Sequence, residues 1–280
     1  MPESPEVETI ARNLREGTAG CFALPGQTIS GYKLFWQKTL TEPTAEILEQ
    51  LLPGQVVKNV TRRAKYLVIT LSRHTILIHL RMSGDLLTCA DDFDSGLTHI
   101  RFELEFLEGG RLLFNDPRKF GRIWVVEDPQ VILGKLGPEP LDELFTPEEF
   151  FKLLQTKKRM IKSLLLDQSF MAGLGNIYTD ESLHLAGIHP LTISANLGFQ
   201  TSKKLLESIR QVLKDGIDRN GSSIDWVYRG GEYQNDFRVY GRTGQACNVC
   251  GTIIERMVVG QRGTHLCPKC QVLHISKEKE

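Results

Sequence analysis

Residues 55–80 read QVVKNVTRRAKYLVITLSRHTILIHL. Three short runs rich in Val, Ile and Leu, QVVKNVTRR, KYLVITLS and TILIHL, are separated by turn-favouring residues, the signature of successive strands. The same texture continues through HIRFELEFLE (99–108), GRLLFND (110–116) and GRIWVVE (121–127), with a hairpin turn expected at Gly109-Gly110 within LEGGRL. Strands at this spacing predict an antiparallel sandwich or barrel.

Working outward, the N-terminal MPESPEVETI predicts a short amphipathic helix beginning near Pro5. Proline is tolerated in a first helical turn, and Glu6 complements the positive end of the helix dipole. Val7, Ile10, Ala11 and Leu14 then recur at helical spacing. That leaves Pro2 and Glu3 with no structural reason to be there.

Downstream, LGPEPLDELFTP (136–147) holds three of the twelve prolines and reads as a linker. Helical periodicity follows in PEEFFKLLQ, RMIKSLLLD, IYTDESLHLAG and SKKLLESIRQVLKDGI. Residues 220–241, NGSSIDWVYRGGEYQNDFRVYG, are rich in glycine and polar side chains. The expected organisation is therefore a strand-rich domain at 1–135, the linker at 136–147, a helical domain at 148–235, a cysteine-bearing hairpin at 236–271 and a tail at 272–280.

Composition is that of an ordinary globular chain of 280 residues, 41% hydrophobic and 24% charged. No apolar run approaches the roughly 20 residues of a membrane span, so no membrane partner is expected. No basic stretch followed by an apolar core opens the chain, so no signal peptide is expected. Basic and acidic side chains balance at 34 each, which argues against a bulk polycation and leaves a one-sided distribution open.

Of six cysteines, Cys21 and Cys89 are isolated. The others lie in CNVCGTIIERMVVGQRGTHLCPKC (247–270), where Cys247 and Cys250 form one C-x2-C pair and Cys267 and Cys270 another, with 16 residues between the pairs. That spacing matches a structural zinc site with a closed four-thiolate shell. The intervening residues read as a hairpin with Arg262 and His265 near its tip.

QTKKRMIK (155–162) carries Lys157, Lys158, Arg159 and Lys162 without an acid. Taken alone it is a solvated helix face. Gly173 and Gly175 in MAGLGNIYTDE superficially suggest a dinucleotide loop, but Tyr178 takes the third glycine's place and no strand precedes it. A tight turn opening a helix, able to hold a phosphate with help from Asn176, fits better. Arg62, Arg63, Lys65, Arg118, Lys119 and Arg122 add basic groups from the strand-rich half. Basic groups from both halves would make a DNA groove despite zero net charge.

Together MPESPEVET, RRAKYL, IHLRMSG, NDPRKFG, LGPEPL, GLGNIYTDESL, VYGR and the hairpin's GQRGT closely resemble the formamidopyrimidine-DNA glycosylase family, including its endonuclease VIII branch, along nearly the whole chain. The resemblance implies an α+β fold: an N-terminal antiparallel β-sandwich with flanking helices, then a helix–two-turn–helix domain and a zinc-ribbon β-hairpin. It implies a monomeric base-excision-repair enzyme acting on damaged double-stranded DNA, cytoplasmic and nucleoid-associated, that excises oxidised purines and cleaves the strand. The rival readings are the branch that prefers oxidised pyrimidines and, from another class, a non-catalytic zinc-ribbon DNA-binding protein.

The resemblance also accounts for the leftover N-terminus. After removal of Met1, Pro2 becomes the terminal amine and the nucleophile. Glu3 corresponds to the general acid, Glu6 to a supporting carboxylate, and Lys65 to the lysine of proton transfer during β-elimination. Arg262 matches the hairpin arginine at the lesion phosphate that is linked to δ-elimination. Asn176, Lys157 and, more loosely, Lys162 match phosphate contacts, as does His99. Met82, Arg118 and Phe120 match the three residues that fill the space left by a flipped-out nucleotide. Three departures stand out: Ser4 where relatives carry leucine or glycine, Leu97 in place of a histidine two residues before His99, and the divergent 220–240 segment, where the family keeps its lesion-capping loop.

Overall fold

The computed structural model describes residues 1–18, 21–90, 96–223 and 230–275. Part of the 220–240 segment, residues 224–229, and the end of the tail, residues 276–280, lie outside the described residues. The chain divides into two compact units, Met1–Lys135 with Asn220–Gly231, and Leu136–Arg219 with the chain from Glu232 onward.

The first unit opens with helix α1, Ser4–Glu16, one residue earlier than the position of Pro5 suggests. Glu3 stands at its N-cap, and the Glu3 backbone N–H donates to Glu6 Oε2 at 2.8 Å, which satisfies an N-terminal group the helix itself leaves open. Val7, Ile10, Ala11 and Leu14 form its buried face. Gly17 ends it, its N–H bonded to the Asn13 carbonyl.

Nine strands follow among the described residues, with two short helices between and after them: β1 Ile29–Leu34, β2 Leu40–Glu42, α2 Ala45–Leu51, β3 Val57–Arg63, β4 Tyr66–Leu71, β5 Thr75–His79, β6 Asp85–Cys89, β7 Ile100–Phe106, β8 Arg111–Asn115, β9 Arg122–Val126 and α3 Gln130–Leu133. They form a four-stranded sheet, β1-β7-β8-β6, and a five-stranded sheet, β2-β9-β5-β4-β3. All the pairings are antiparallel except β2 with β9, which run parallel. One core joins Leu67, Ile69, Ile76 and Ile78 of the second sheet, Phe102, Leu104 and Phe114 of the first, and the apolar face of α1. The period-two spacing of these residues is what allows each sheet to offer one face to that core. The predicted sandwich is the observed one, and α2 precedes the strand run that begins at Gln55.

The second unit contains α4 Pro147–Gln155, α5 Ile161–Leu165, α6 Asn176–Ala186, α7 Phe199–Asp218 and the hairpin strands β10 Glu255–Val259 and β11 Arg262–Leu266. Thr146 and Glu149 make a reciprocal capping box at the start of α4. Phe150, Leu164, Leu183, Leu205 and Ile209 meet in a second core. The proline-rich stretch 136–147 packs on this unit: Phe145 joins the core, and Arg210 of α7 donates to the carbonyls of Pro140, Asp142 and Phe145 at 2.7, 3.2 and 2.5 Å. Glu181 of α6, fully buried, accepts the backbone N–H groups of Arg238, Val239 and Tyr240 at 2.7–2.9 Å and so ties the approach to the cysteine hairpin onto that helix. Burial raises its carboxyl above the usual carboxylate range, against the pull of those three donors. No helix among the described residues is long and apolar enough to cross a membrane.

Candidate functional site

Pro2, Glu3 and Glu6 are buried together at the start of α1, the two glutamates 2% and 3% exposed. With Met1 attached, the Pro2 nitrogen belongs to a peptide bond. Glu6 is the organising group. Its Oε2 takes the Glu3 N–H, and its Oε1 takes the Ser222 N–H at 2.7 Å and the Ser222 hydroxyl at 3.3 Å. The preceding residue, Gly221, has φ +78°, and a Cβ there would lie 2.7 Å from the Glu6 carboxyl, so the close approach requires glycine. Arg12 Nη2 donates to Asn220 Oδ1 at 2.6 Å, a second tie between α1 and the same returning segment.

Lys65 lies in the two-residue turn between β3 and β4, where Arg63 pairs with Tyr66. Its neighbour Ala64 has φ 53°, and the Ala64 carbonyl accepts Arg62 Nη1 at 3.0 Å and the Ser4 hydroxyl at 3.5 Å. The turn is thereby held at the start of α1, and Lys65 is 4% exposed. Buried carboxyl groups and a buried lysine beside the N-terminus form a water-poor site equipped to move protons. Arg62 is committed elsewhere: its Nε lies 3.0 Å from Glu8 Oε2.

A second cluster joins the loop after β5 to the loop after β8. Asp116, with no exposed surface, is its hub. Asp116 Oδ1 accepts the Ser83 hydroxyl at 2.5 Å and the Arg118 N–H at 3.3 Å, and Oδ2 accepts the Gly121 N–H at 2.7 Å. Its own N–H donates to the His99 carbonyl at 2.9 Å. Met82, Arg118 and Phe120 are therefore carried on loops that share one buried carboxylate, and the backbone of the same aspartate holds His99. Met82 is half-buried, while Arg118, Phe120 and His99 are exposed, and the Arg118 guanidinium sits 5.2 Å over the Phe120 ring. A large apolar side chain held in an exposed turn does not serve the core. Arg122 Nη1 donates to the carbonyls of Lys119, Phe120 and Gly121, so it braces this loop. At the base of the other loop, His79 Nδ1 accepts the Arg81 N–H at 3.0 Å and its ring meets Tyr66 edge-on. Burial, with Arg81 and Lys65 nearby, pushes His79 down to about 3.

In the second unit Lys157 is exposed, and Asn176 is the first residue of α6. Asn176 Nδ2 donates to the Gly263 carbonyl at 2.9 Å. Arg262 is exposed and opens β11, beyond a two-residue turn of Gly260 (φ 54°) and Gln261 (φ 65°). Two successive positive φ values give the tight hairpin whose twist matches its strands. The reading of Lys162 as a DNA contact is corrected here. Lys162 is fully buried, its Nζ 2.6 Å from Asp180 Oδ1 and 3.1 Å from the Gly263 carbonyl, so its charge is neutralised inside the fold. His265 also differs from expectation. It pairs with Arg256, away from the tip, and its N–H donates to Asp180 Oδ2 at 2.9 Å.

The sulfur atoms of Cys247, Cys250, Cys267 and Cys270 all lie within 4.8 Å of one another, with Cys247–Cys270 at 3.9 Å and Cys250–Cys267 at 3.5 Å. Tetrahedral bonds of about 2.3 Å place thiolates about 3.8 Å apart, so the four fit one zinc ion and leave no open position. The four cysteines form a structural zinc site.

Sequence reasoning missed Asp116, Ser83, Asp180 and Ser222. Only Asp116, an acid inside the basic NDPRKFGR, offered a local signal.

Family models match the chain in three successive segments: formamidopyrimidine-DNA glycosylase N-terminal domain at residues 1–123, formamidopyrimidine-DNA glycosylase H2TH domain at 136–227, and zinc finger found in FPG and IleRS at 244–272. Among curated relatives, a formamidopyrimidine-DNA glycosylase of Protochlamydia amoebophila is 42% identical, covering 97% of this chain and 99% of its own. One of Chloroflexus aggregans is 45% identical, covering 98% and 99%. Among solved structures, MutM in complex with DNA containing carbocyclic 8-oxo-G superposes with a TM-score of 0.87 at 36% identity, covering 97% of this chain and 100% of that one. The Lactococcus lactis Fpg in complex with abasic-site DNA gives 0.88 at 35% identity, covering 97% and 100%.

Proposed function

The chain belongs to the formamidopyrimidine-DNA glycosylase family, and from that membership and its buried N-terminal site we propose a bifunctional DNA glycosylase and AP lyase that excises 8-oxoguanine and formamidopyrimidines from duplex DNA. The carrying observation is the burial of Pro2, Glu3, Glu6 and Lys65 around the first turn of α1. Removal of Met1 turns the Pro2 peptide nitrogen into a secondary amine. An α-amino group titrates at about 7.7–8.0, so a useful fraction is unprotonated at neutral pH. That nitrogen attacks deoxyribose C1′, the C1′–base bond breaks and the electron pair leaves with the base, which takes up the proton shed by the Pro2 nitrogen. Glu3 protonates the ring oxygen as the sugar opens, and the Pro2 adduct becomes an iminium.

A secondary amine yields an iminium that is cationic at every pH, an electron sink that acidifies C2′. Lys65 takes and returns the protons of β-elimination, which releases the 3′ phosphate oxygen. A second elimination releases the 5′ phosphate, with Arg262 balancing the leaving charge. Glu6 orients Glu3 through its backbone N–H and holds Ser222. Met82, Arg118 and Phe120 fill the duplex after the nucleotide leaves the stack, offsetting an unstacking cost of a few kcal/mol. Lys157, Asn176 and His99 hold phosphates. The protein acts as a monomer in the cytoplasm, at the nucleoid.

The test is borohydride trapping on duplexes that carry one defined lesion each. The processed protein should form a reduced cross-link that maps to Pro2, while a form retaining Met1 should bind DNA without cross-linking. A cross-link at Lys65, or full activity with the terminus blocked, overturns the mechanism. A preference for oxidised pyrimidines would move the protein to the endonuclease VIII branch.

A further inference from the structure

His184 lies in the last turn of α6, and nothing in the proposed chemistry uses it. Its side chain is buried, with Nε2 3.5 Å from Cys247 Sγ and Nδ1 enclosed without a hydrogen-bond partner among the described residues. We propose that His184 is an outer-shell support of the zinc site: a neutral imidazole, protonated on Nε2, that donates a hydrogen bond to the Cys247 thiolate and fastens the metal hairpin to α6.

The tautomer follows from the two nitrogens. With the proton on Nε2, one N–H meets a sulfur anion and the enclosed Nδ1 carries only a lone pair. With the proton on Nδ1, a buried N–H has no acceptor among the described residues and the Nε2 lone pair faces the thiolate. Both features of that alternative are unfavourable, because an unmatched buried donor loses its full hydration.

The need for such a donor follows from charge. Four thiolates around one divalent ion leave two negative charges in excess, and Cys247 and Cys267 are buried. Backbone N–H groups of Val249 and Cys270 lie 3.5 and 3.4 Å from the sulfurs of Cys247 and Cys267, but both belong to the hairpin itself. His184 comes from the helix that begins at Asn176. Its hydrogen bond therefore links zinc retention to the element that carries a proposed phosphate contact. An N–H donor also withdraws charge from the sulfur, so the thiolate becomes a poorer target for alkylating and oxidising reagents.

The experiment uses the zinc-loaded full chain, comparing wild type with His184→Phe, which keeps a ring without a donor, and His184→Gln, whose Nε2 restores one. Zinc release to a chromogenic chelator and the rate of Cys247 alkylation by N-ethylmaleimide are the readouts. His184→Phe should weaken zinc retention by about 10- to 100-fold, the usual effect of losing an outer-shell partner, and speed alkylation, with His184→Gln recovering most of the loss. A folded His184→Phe protein that keeps zinc and thiol protection within about twofold of wild type overturns the proposal. Two measurements on wild type decide it even if the variants misfold. Nitrogen-15 NMR of the imidazole should show the Nε2–H neutral tautomer, and the Nδ1–H form overturns it. X-ray absorption should show four sulfurs on zinc. Three sulfurs and one nitrogen would make His184 a ligand and overturn its outer-shell role.

Discussion

Lys162 and Asp180 form an ion pair with Nζ–Oδ1 at 2.6 Å, their side chains 0% and 1% exposed. Asp180 spends its other oxygen on the His265 N–H, and Lys162 shares the Gly263 carbonyl with Asn176. The backbone on the C-terminal side of Arg262 is thus fixed by side chains from α5 and α6. Removing one member of a buried pair strands the other charge, at a cost of about 3–5 kcal/mol. Lys162→Met should lower denaturant stability by that order, and the double variant Lys162→Met/Asp180→Leu should recover part of the loss. A single variant as stable as wild type would show that the pair is dispensable.

Zinc removal should act on the second unit. The first unit has its own core and contains none of the four cysteines, so its sheets should survive chelation while DNA binding falls. Cys267→Ser should reduce metal content and lesion cleavage together. Metal analysis alongside cleavage assays checks this, and a metal-free variant with full activity contradicts it.

Met82 sits in a half-buried turn braced through Ser83 and Asp116. If it replaces stacking lost on nucleotide extrusion, Met82→Ala should slow base excision more than cleavage of a pre-formed abasic site, which has little stacking to break. Single-turnover rates on the two substrates make the comparison. Equal losses would return Met82 to a packing role.

His79 predicts a pH dependence. Its imidazole titrates at about 3 in the folded chain, against about 6.5 when unfolded. Below the unfolded value the unfolded state binds the extra proton, so stability is full above about pH 6.5 and is lost as pH falls towards about 3. At pH 5 the loss from this group is about 2 kcal/mol. His79→Asn keeps an acceptor for the Arg81 N–H without a titrating ring, so it should flatten the melting temperature between pH 7 and 5. An unchanged slope would assign the acid sensitivity to other groups.

Much of the molecule is legible in its amino-acid sequence. The strands of the sandwich follow from period-two spacing, as in Leu67, Ile69 and Leu71, because a sheet facing one core must alternate. The zinc site follows from two C-x2-C pairs, since each short turn aims two thiolates at one point. Short or parallel elements were harder. β2 has three residues and pairs in parallel with β9, a partner chosen by tertiary packing.

Pairings distant in sequence were decided by tertiary structure alone. Lys162 looks like one more cation in QTKKRMIK, and its burial depends on Asp180, 18 positions away, and on a carbonyl 101 positions away. Glu6 meets Ser222 across 216 positions, and Asp116 meets Ser83 across 33. Local periodicity and spacing report what a segment can form by itself. Whether a charged side chain faces water or a partner depends on which desolvated groups the completed fold brings within hydrogen-bonding distance, and no window of neighbouring residues contains that.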